Sequence, residues 1–598
     1  MPSESKFQNM TQLYAHAVKS FGPRPLFGTK VAGEWKWTTY AEFGNEVELA
    51  RSAFAGLGVG KGDRVAVIAN NRSEWAVGAY ATYGLRASYV PMYEQQLPKE
   101  WHYILADCRA KVLLVANEQI RDRIEEVRGD LKELETVVVM TGKGVPGKSL
   151  AWSELLALGK GKPVPAVEPE DNKEIAGFIY TSGTTGNPKG VLLSHGNLAN
   201  NVSAIHAVFP MSDNDRSLSF LPWAHSFGQT VELHGLFSMG ASMGIAEAVD
   251  KIIENLGEVQ PTLLVSVPRI FNRIYDGLHK TMSADGGLKK KLFYAAIANE
   301  DKRKLLASQG KSSGVADLKH KIFDKLVFQK VRARFGGKLK YAFSGGAAIS
   351  KEVAEFIDNL GITVYEGYGL TETSPIATAN WPGARKIGSV GKAIPGVRIV
   401  IDHAATGDDK NGEILVYGHN VMQGYHELPG ENEKVFTADH GFRTGDMGFL
   451  DDAGFLYITG RIKEQYKLEN GKYVSPAPLE EHLKLSPYIA NVMVYGDNKP
   501  YNVALIVADL PALEQWAGEH ELTAKGEALL AEPAVMKLLE EQVAKYSSEF
   551  KQFEKIRKLA LVSEDFTTAN DMLTPSLKVK RRVVLKKHGE KLTSLYDA

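Results

Sequence analysis

Residues 180–190 read YTSGTTGNPKG, three glycines, four Ser/Thr hydroxyls and a lysine directly after the apolar run AGFI. Gly183 and Gly186 permit positive φ and let backbone N–H groups approach an anion. Thr181, Ser182, Thr184 and Thr185 add hydroxyl donors, and Lys189 adds charge. That inventory suits a phosphate. It is not the G-x-x-x-x-G-K-[ST] loop, because no Ser or Thr follows the lysine. A solvated Gly/Thr turn is the plain alternative.

Four further stretches carry side chains of the same kind of use. SGGAAI (344–349) follows the apolar run YAF, and its Gly345, Gly346 and Ala347 offer bare backbone against which a flat base can pack. YEGYGLTE (365–372) follows ITV and holds Glu366, Gly367, Tyr368, Gly369, Thr371 and Glu372. There Tyr368 can stack on an aromatic ring, and Glu372 can ligate Mg²⁺ beside phosphates. In FRTGDMGFLDDAGFLYITGR (442–461) Asp446 stands next to a glycine, suited to two ribose hydroxyls, with Tyr457 and Arg461 following. LTPSLKVKRR (573–582) ends the series with Lys578 and Lys580. Singly, each has an ordinary explanation as a turn, a helix-start charge or a solvated basic face.

These stretches need a frame. RVAVIAN (64–70), ASYVPMY (87–93), KVLLVAN (111–117) and TVVVM (136–140) are short β-rich runs, and NRSEWAVGAYATYGLR between the first two has helical spacing. Strand, helix, strand at this spacing predicts a largely parallel, helix-covered sheet. The rhythm continues through IAGFIY (175–180), SLSFLPW (217–223), TLLVSVP, KYAFSGG (340–346) and ITVYEGYG (362–369). Both SGGAA and YGLTE then lie at C-terminal strand ends, where open α/β sheets bind ligands. Residues 281–338 read as a basic helical insertion, and 388–461 as closely spaced antiparallel strands. A boundary near Arg461 leaves 462–598 as a second unit.

The chain has 598 residues, enough for two or more domains. Lys+Arg and Asp+Glu both total 71, so no global field points to nucleic acid. One cysteine, Cys108, rules out an intramolecular disulfide and argues against a Cys-based zinc site. The N-terminal residues lack the apolar core of a secretory signal, and no uncharged apolar run reaches the roughly 20 residues of a membrane span. A cytoplasmic chain is expected, with peripheral contact at the inner membrane face left open. The basic helices of 281–338 could touch anionic lipid or be a solvated face.

In this order and spacing, over nearly the whole chain, the five motifs resemble those of the adenylate-forming (AMP-binding) superfamily. PTLLVSVPRIFNRIY (261–275), the helical insertion, YKLENGKYVSPAPLEE (466–481) and LTPSLKVKRR are similar to its long-chain fatty acyl-CoA synthetase branch. The resemblance implies an α/β fold with a large N-terminal domain (1–461), which includes a small β-barrel-like part, and a small mobile α+β C-terminal domain (462–598). It implies ATP, Mg²⁺ and coenzyme A as reactants and cofactor. A carboxylate attacks the α-phosphate to give acyl-AMP, and a thiol then displaces AMP. The same resemblance assigns loop 181–190 to the β/γ-phosphates, Glu372 and Thr184 to Mg²⁺, and Asp446 and Arg461 to the ribose. Tyr368 and Gly345–Ala347 go to adenine, His225 (in LPWAHSFG) beside the reacting carboxylate, and Lys463 to the hinge. The catalytic lysine is Lys578, with Lys580 as the alternative, because the glycine expected before that lysine is missing. A ligase that loads a carrier protein, a synthetase for another acid, and a non-catalytic lipid-binding protein remain as rival functions.

Overall fold

The computed structural model describes residues 5–181, 187–347, 349–405, 409–574 and 578–597. An eight-stranded sheet forms the centre of the N-terminal part, and its strands Arg64–Ile68, Ser88–Met92, Val112–Asn117 and Thr136–Thr141 pair in parallel. Covered on both faces, these strands can be apolar at every position; Val65–Ile68 and Val112–Val115 are wholly buried. The crossover helix Ser73–Tyr83 packs with them and buries Trp75 and Tyr80.

Strand Ile175–Thr181 joins this sheet in parallel beside Ser88–Met92, through Tyr89 and Gly177. Its next neighbour is Lys189–Ser194, which runs antiparallel and sets Thr181 opposite Lys189. The YTSGTTGNPKG stretch therefore closes a β-hairpin and does not lead from a strand into a helix. The next element after it is the strand Lys189–Ser194, not a helix N-terminus. Residues 182–186, which include Ser182, Gly183, Thr184, Thr185 and Gly186, lie outside the described residues.

A second sheet orders Leu263–Ser266, Tyr341–Ser344 and Thr363–Gly369 in parallel, then Ile376–Ala379 and Lys392–Ala393 antiparallel. SGGAA and YGLTE leave adjacent strands of this sheet at the same end. A third sheet joins Arg216–Ser219 and Ser242–Ile245 to an N-terminal hairpin, Pro25–Val31 with Glu34–Thr39. Only the first part of SLSFLPW is strand. The helical block begins at Pro268, ahead of the expected 281, and runs to Ala333. The reason is local: Pro268 occupies a first-turn position, where its fixed φ and missing N–H cost nothing.

Val397–Asp402, Gly412–Gly418, Phe442–Leu450 and Leu456–Arg461 form a four-stranded antiparallel sheet. Beyond it, Ile489–Tyr495, Asn502–Ala508 and Ile556–Val562 make a three-stranded sheet with an apolar cluster on each face. Both clusters are built from residues after 478, while Leu485 and Tyr546 also reach the apolar cluster of the helical block. No helix among the described residues is long and apolar enough to cross a membrane.

Candidate active site

The turn 222–228 ties the second sheet's two motifs together. Ser226 Oγ lies 3.2 Å from Thr371 Oγ1. The Phe227 ring covers Gly345 so closely that a Cβ there would stand 3.1 Å from it. At Gly369 a Cβ would lie 1.7 Å from the Pro375 carbonyl oxygen, so only glycine lets the chain fold back after the strand. That return brings Glu372 against the segment 419–425, where its carbonyl accepts from the Met422 N–H at 2.9 Å. The same segment adds a short strand, Gly424–Tyr425, beside Lys189–Ser194.

Tyr425 consequently stands between two charged groups. Its hydroxyl donates to Glu372 Oε1 at 2.8 Å, and Lys189 Nζ sits 5.1 Å from its ring centre. Lys189 is itself held by Glu431 at 2.5 Å. Lys189 and Lys434 together pull the Glu431 carboxyl down to about 2. The lysine expected to meet an anion is thus paired with a carboxylate.

Asp446 lies across the hairpin from Arg461. Its Oδ1 accepts from Arg461 Nε at 2.6 Å and its Oδ2 from the Tyr368 hydroxyl at 2.7 Å. Thr444 Oγ1 accepts the Asp446 N–H and donates to the Ile414 carbonyl, which fixes the TGD backbone. Asp446 is 6% exposed, so these two charge-assisted bonds carry its desolvation. Neighbouring Asp446 carries the Arg461 pKa above its ordinary value, against the desolvation that opposes it.

Lys578 comes to this cluster from the far C-terminal segment, and a backbone pair with Thr574 holds it (Thr574 N–H to Lys578 carbonyl, 2.8 Å). Desolvation lowers its pKa first and Arg461 second, while Asp446, Glu464 and Glu372 oppose the shift. Its side chain still meets solvent. His225 feels the same ammonium: burial, then Lys578, pushes its pKa down to about 4. Its Nδ1 accepts the Phe227 N–H at 3.2 Å, so the neutral ring carries its proton on Nε2. Lys580 points elsewhere and pairs with Asp571 at 2.6 Å.

The arrangement gathers two cations, a buried carboxylate, a neutral imidazole donor and a lysine-bearing hairpin. Sequence comparison carries it further. Residues 15–426 match the family model of the AMP-binding enzyme, and residues 463–598 match that of the AMP-binding enzyme C-terminal domain. The chain belongs to the AMP-binding enzyme family. A long-chain-fatty-acid–CoA ligase, FadD15 of Mycobacterium bovis, is 33% identical over 96% of this chain and 94% of its own. Peroxisomal long chain acyl-CoA synthetase 7 of Arabidopsis thaliana is 28% identical over 100% of this chain and 87% of its own. Among solved structures, the adenylation domain of a Mycobacterium chelonae carboxylate reductase superposes with a TM-score of 0.80 at 20% identity, over 100% of this chain and 92% of that one. ATP-bound MatB from Rhodopseudomonas palustris gives 0.70 at 21% identity, over 98% and 100%.

Within this AMP-binding enzyme, several expected residues meet: Thr371, Tyr368, Glu372, Asp446, Arg461, His225 and Lys578, with Gly345 under Phe227. Gly346 and Ala347 are exposed just beyond, and Gly367 lies on the strand between. Thr181 and Lys189 face each other at the hairpin base, and Lys463 sits in the single turn Ile462–Glu464 after Arg461. Two of the expected side chains stand apart from that cluster. The Glu366 carboxyl is 7% exposed and accepts the Ile349 N–H, so it supports the backbone after SGGAA from beneath. Burial pushes its pKa up to about 8. Tyr457 stacks on Phe449 at 4.8 Å and reaches Asp451 and Lys386, along the hairpin from Asp446. The reason is a register shift between Met447 and Gly448. Thr459 falls into the bulge, and the extra residue turns Tyr457 off the face of Arg461.

Tyr425 and Glu431 went unmarked in the sequence. The only signal was their stretch GYHELPGENEK (424–434), rich in acids around one tyrosine. Nothing in it names Lys189 as the partner.

Proposed function

We propose that this chain is an AMP-forming long-chain fatty acid–CoA ligase, built as a large part (1–461) and a mobile part (462–598) hinged near Lys463. The observation that carries the reading is the convergence of Lys578 with His225, Asp446–Arg461 and Glu372, in a chain two of whose relatives are named acyl-CoA ligase or synthetase.

In the first half-reaction a fatty carboxylate oxygen attacks the α-phosphorus of ATP, and the bond to the bridging oxygen of pyrophosphate breaks. Negative charge must be gathered at two anions and then spread over the α-phosphate, so fixed cations do most of the work. Lys578 bridges the carboxylate and an α-phosphate oxygen. His225, neutral with its Nε2–H free to donate, orients the carboxylate without taking its charge. Asp446 receives the ribose hydroxyls while Arg461 and Tyr368 hold it in place. Lys189 exchanges Glu431 for the departing pyrophosphate.

Mg²⁺ fits these residues. Among the described residues no three His, Cys, Asp or Glu side chains group as a metal site, and Mg²⁺ habitually takes one or two carboxylates plus substrate phosphates. Glu372, oriented through Oε1 by Tyr425, leaves its other oxygen for the ion, which would neutralise phosphate charge. In the second half-reaction the coenzyme A sulfur attacks the acyl carbon, the bond to AMP breaks, and the thiol proton is lost. Rotation about the hinge withdraws Lys578 and brings the segment around Leu468–Tyr473 to the thiol's path.

The test is AMP formation from ATP, coenzyme A and fatty acids of increasing length. The expected result is thioester and AMP in equal amounts with long chains preferred. Acyl-AMP release without thioester would favour a ligase that loads a carrier protein, and preference for a short or aromatic acid would move the substrate.

A further inference from the structure

We infer that the outer face of the helical block docks on an anionic lipid bilayer. The carrying feature is the continuous helical run Gly314–Phe323, Asp324–Phe328 and Gln329–Ala333. Its inner face is conventional: Ala316 is buried, and Val327, Phe328 and Val331 belong to the apolar cluster under the block. Its outer face is not. Val315, Leu318, Ile322 and Leu326 recur at spacings of three and four, so they form one stripe, and they are 67%, 62%, 50% and 45% exposed. A helix that is apolar on two faces is normally covered on both. Here one apolar face is left open.

The charges beside the stripe say what would cover it. Lys319, Lys321, Lys325 and Lys330 are all exposed on the same run, and among the described residues none of them forms an ion pair. By contrast Arg303, Lys304 and Arg332 of the block are paired with carboxylates. Residues 286–334 hold thirteen Lys and Arg against four Asp and Glu, in a chain whose total charge is zero. A second copy of the chain would bring this positive face against itself. An interfacial helix on an anionic bilayer needs both features at once, an outward apolar stripe and lysines along it.

The inference does not rest on the reaction proposed above, since docking needs no catalytic residue. It is tested by co-sedimentation with vesicles of phosphatidylcholine alone or with one third phosphatidylglycerol. The wild-type chain should bind the anionic vesicles far better than the neutral ones, and lose the difference at high salt. Each lysine near an anionic surface raises partitioning about fivefold, so K319E/K321E/K325E should weaken binding roughly 100-fold or more. L318S/I322S should weaken it as well, at either lipid composition. All five sites are exposed, and circular dichroism should show the fold intact. Lys578→Ala should bind like wild type, which separates a failure of docking from a failure of the catalytic reading. The inference is overturned if the wild type ignores lipid charge, if either variant binds unchanged, or if the variants instead dissociate a dimer that never binds vesicles.

Discussion

Replacing Lys578 with alanine tests its proposed part in the first half-reaction. The ammonium it removes is crowded by Arg461, Asp446, Glu464 and Glu372 and lies close enough to His225 to depress that ring. A unit charge about 4 Å from growing negative charge, at an effective dielectric near 20, is worth about 4 kcal/mol. That corresponds to a loss of roughly 10³ in the adenylation rate. The assay is ATP–pyrophosphate exchange with a saturating fatty acid, run beside thioester formation from supplied acyl-AMP and coenzyme A. The first should fall by about that factor and the second should keep most of its rate, because the proposed hinge rotation withdraws Lys578 before the thiol attacks.

Lys580→Ala is the internal control. Lys580 pairs with Asp571 at a half-exposed site, so its loss should cost at most about 1 kcal/mol of stability and little activity. pH adds a second axis. Lys578 must carry its proton, and its pKa is lowered from 10.5. Exchange should therefore decline as pH rises through that lowered value, in an alkaline limb below 10.5. Lys578→Arg should retain part of the activity and lose the limb, since a guanidinium stays charged. His225, already neutral above about 4, should contribute no acid limb near its ordinary value. Equal loss in both half-reactions, or a larger loss from Lys580→Ala than from Lys578→Ala, refutes the assignment.

Two other substitutions read the site's supports. Glu431→Gln frees Lys189 from its carboxylate; a partly exposed pair of this kind is worth about 1 kcal/mol, so steady-state kinetics should show a KM for ATP about fivefold lower, and an unchanged or higher KM counts against the exchange of Glu431 for phosphate. Glu366 folds with its proton on, since its pKa rises from 4.5 to about 8. Its contribution is complete below pH 4.5 and is lost as pH rises through about 8. Glu366→Gln should therefore gain stability over wild type between pH 5 and pH 8, by up to about several kcal/mol in unfolding free energy from urea titrations, and a constant difference across that range would show that burial does not hold the proton.

Chemistry that depends on short contiguous stretches was legible in the sequence. SGGAA, YGLTE, TGD and the C-terminal KVKRR each carry their residue types within a few positions, and apolar runs such as RVAVI and KVLLV mark strands buried on both faces. What a stretch pairs with is a different kind of information. The hairpin of the glycine-rich loop depends on KGVLLS returning beside IAGFIYT, and nothing local forces that return over a helix. Tyr457 shares the apparent face of Arg461 until a bulge at Thr459 turns it away. Glu366 sits two residues from Tyr368, yet its carboxyl goes under a turn while the tyrosine reaches Asp446.

The sequence alone therefore determined the family and the short stretches in which candidate groups gather, because those are properties of residue type and spacing. Tertiary structure decided which groups meet. It brought Lys578 rather than Lys580 to Asp446 and Arg461, set Tyr425 between Lys189 and Glu372, and left Val315, Leu318, Ile322 and Leu326 uncovered beside lysines. Each of these turns on which surfaces exclude water together, a condition fixed by packing across distant segments and not by any one of them.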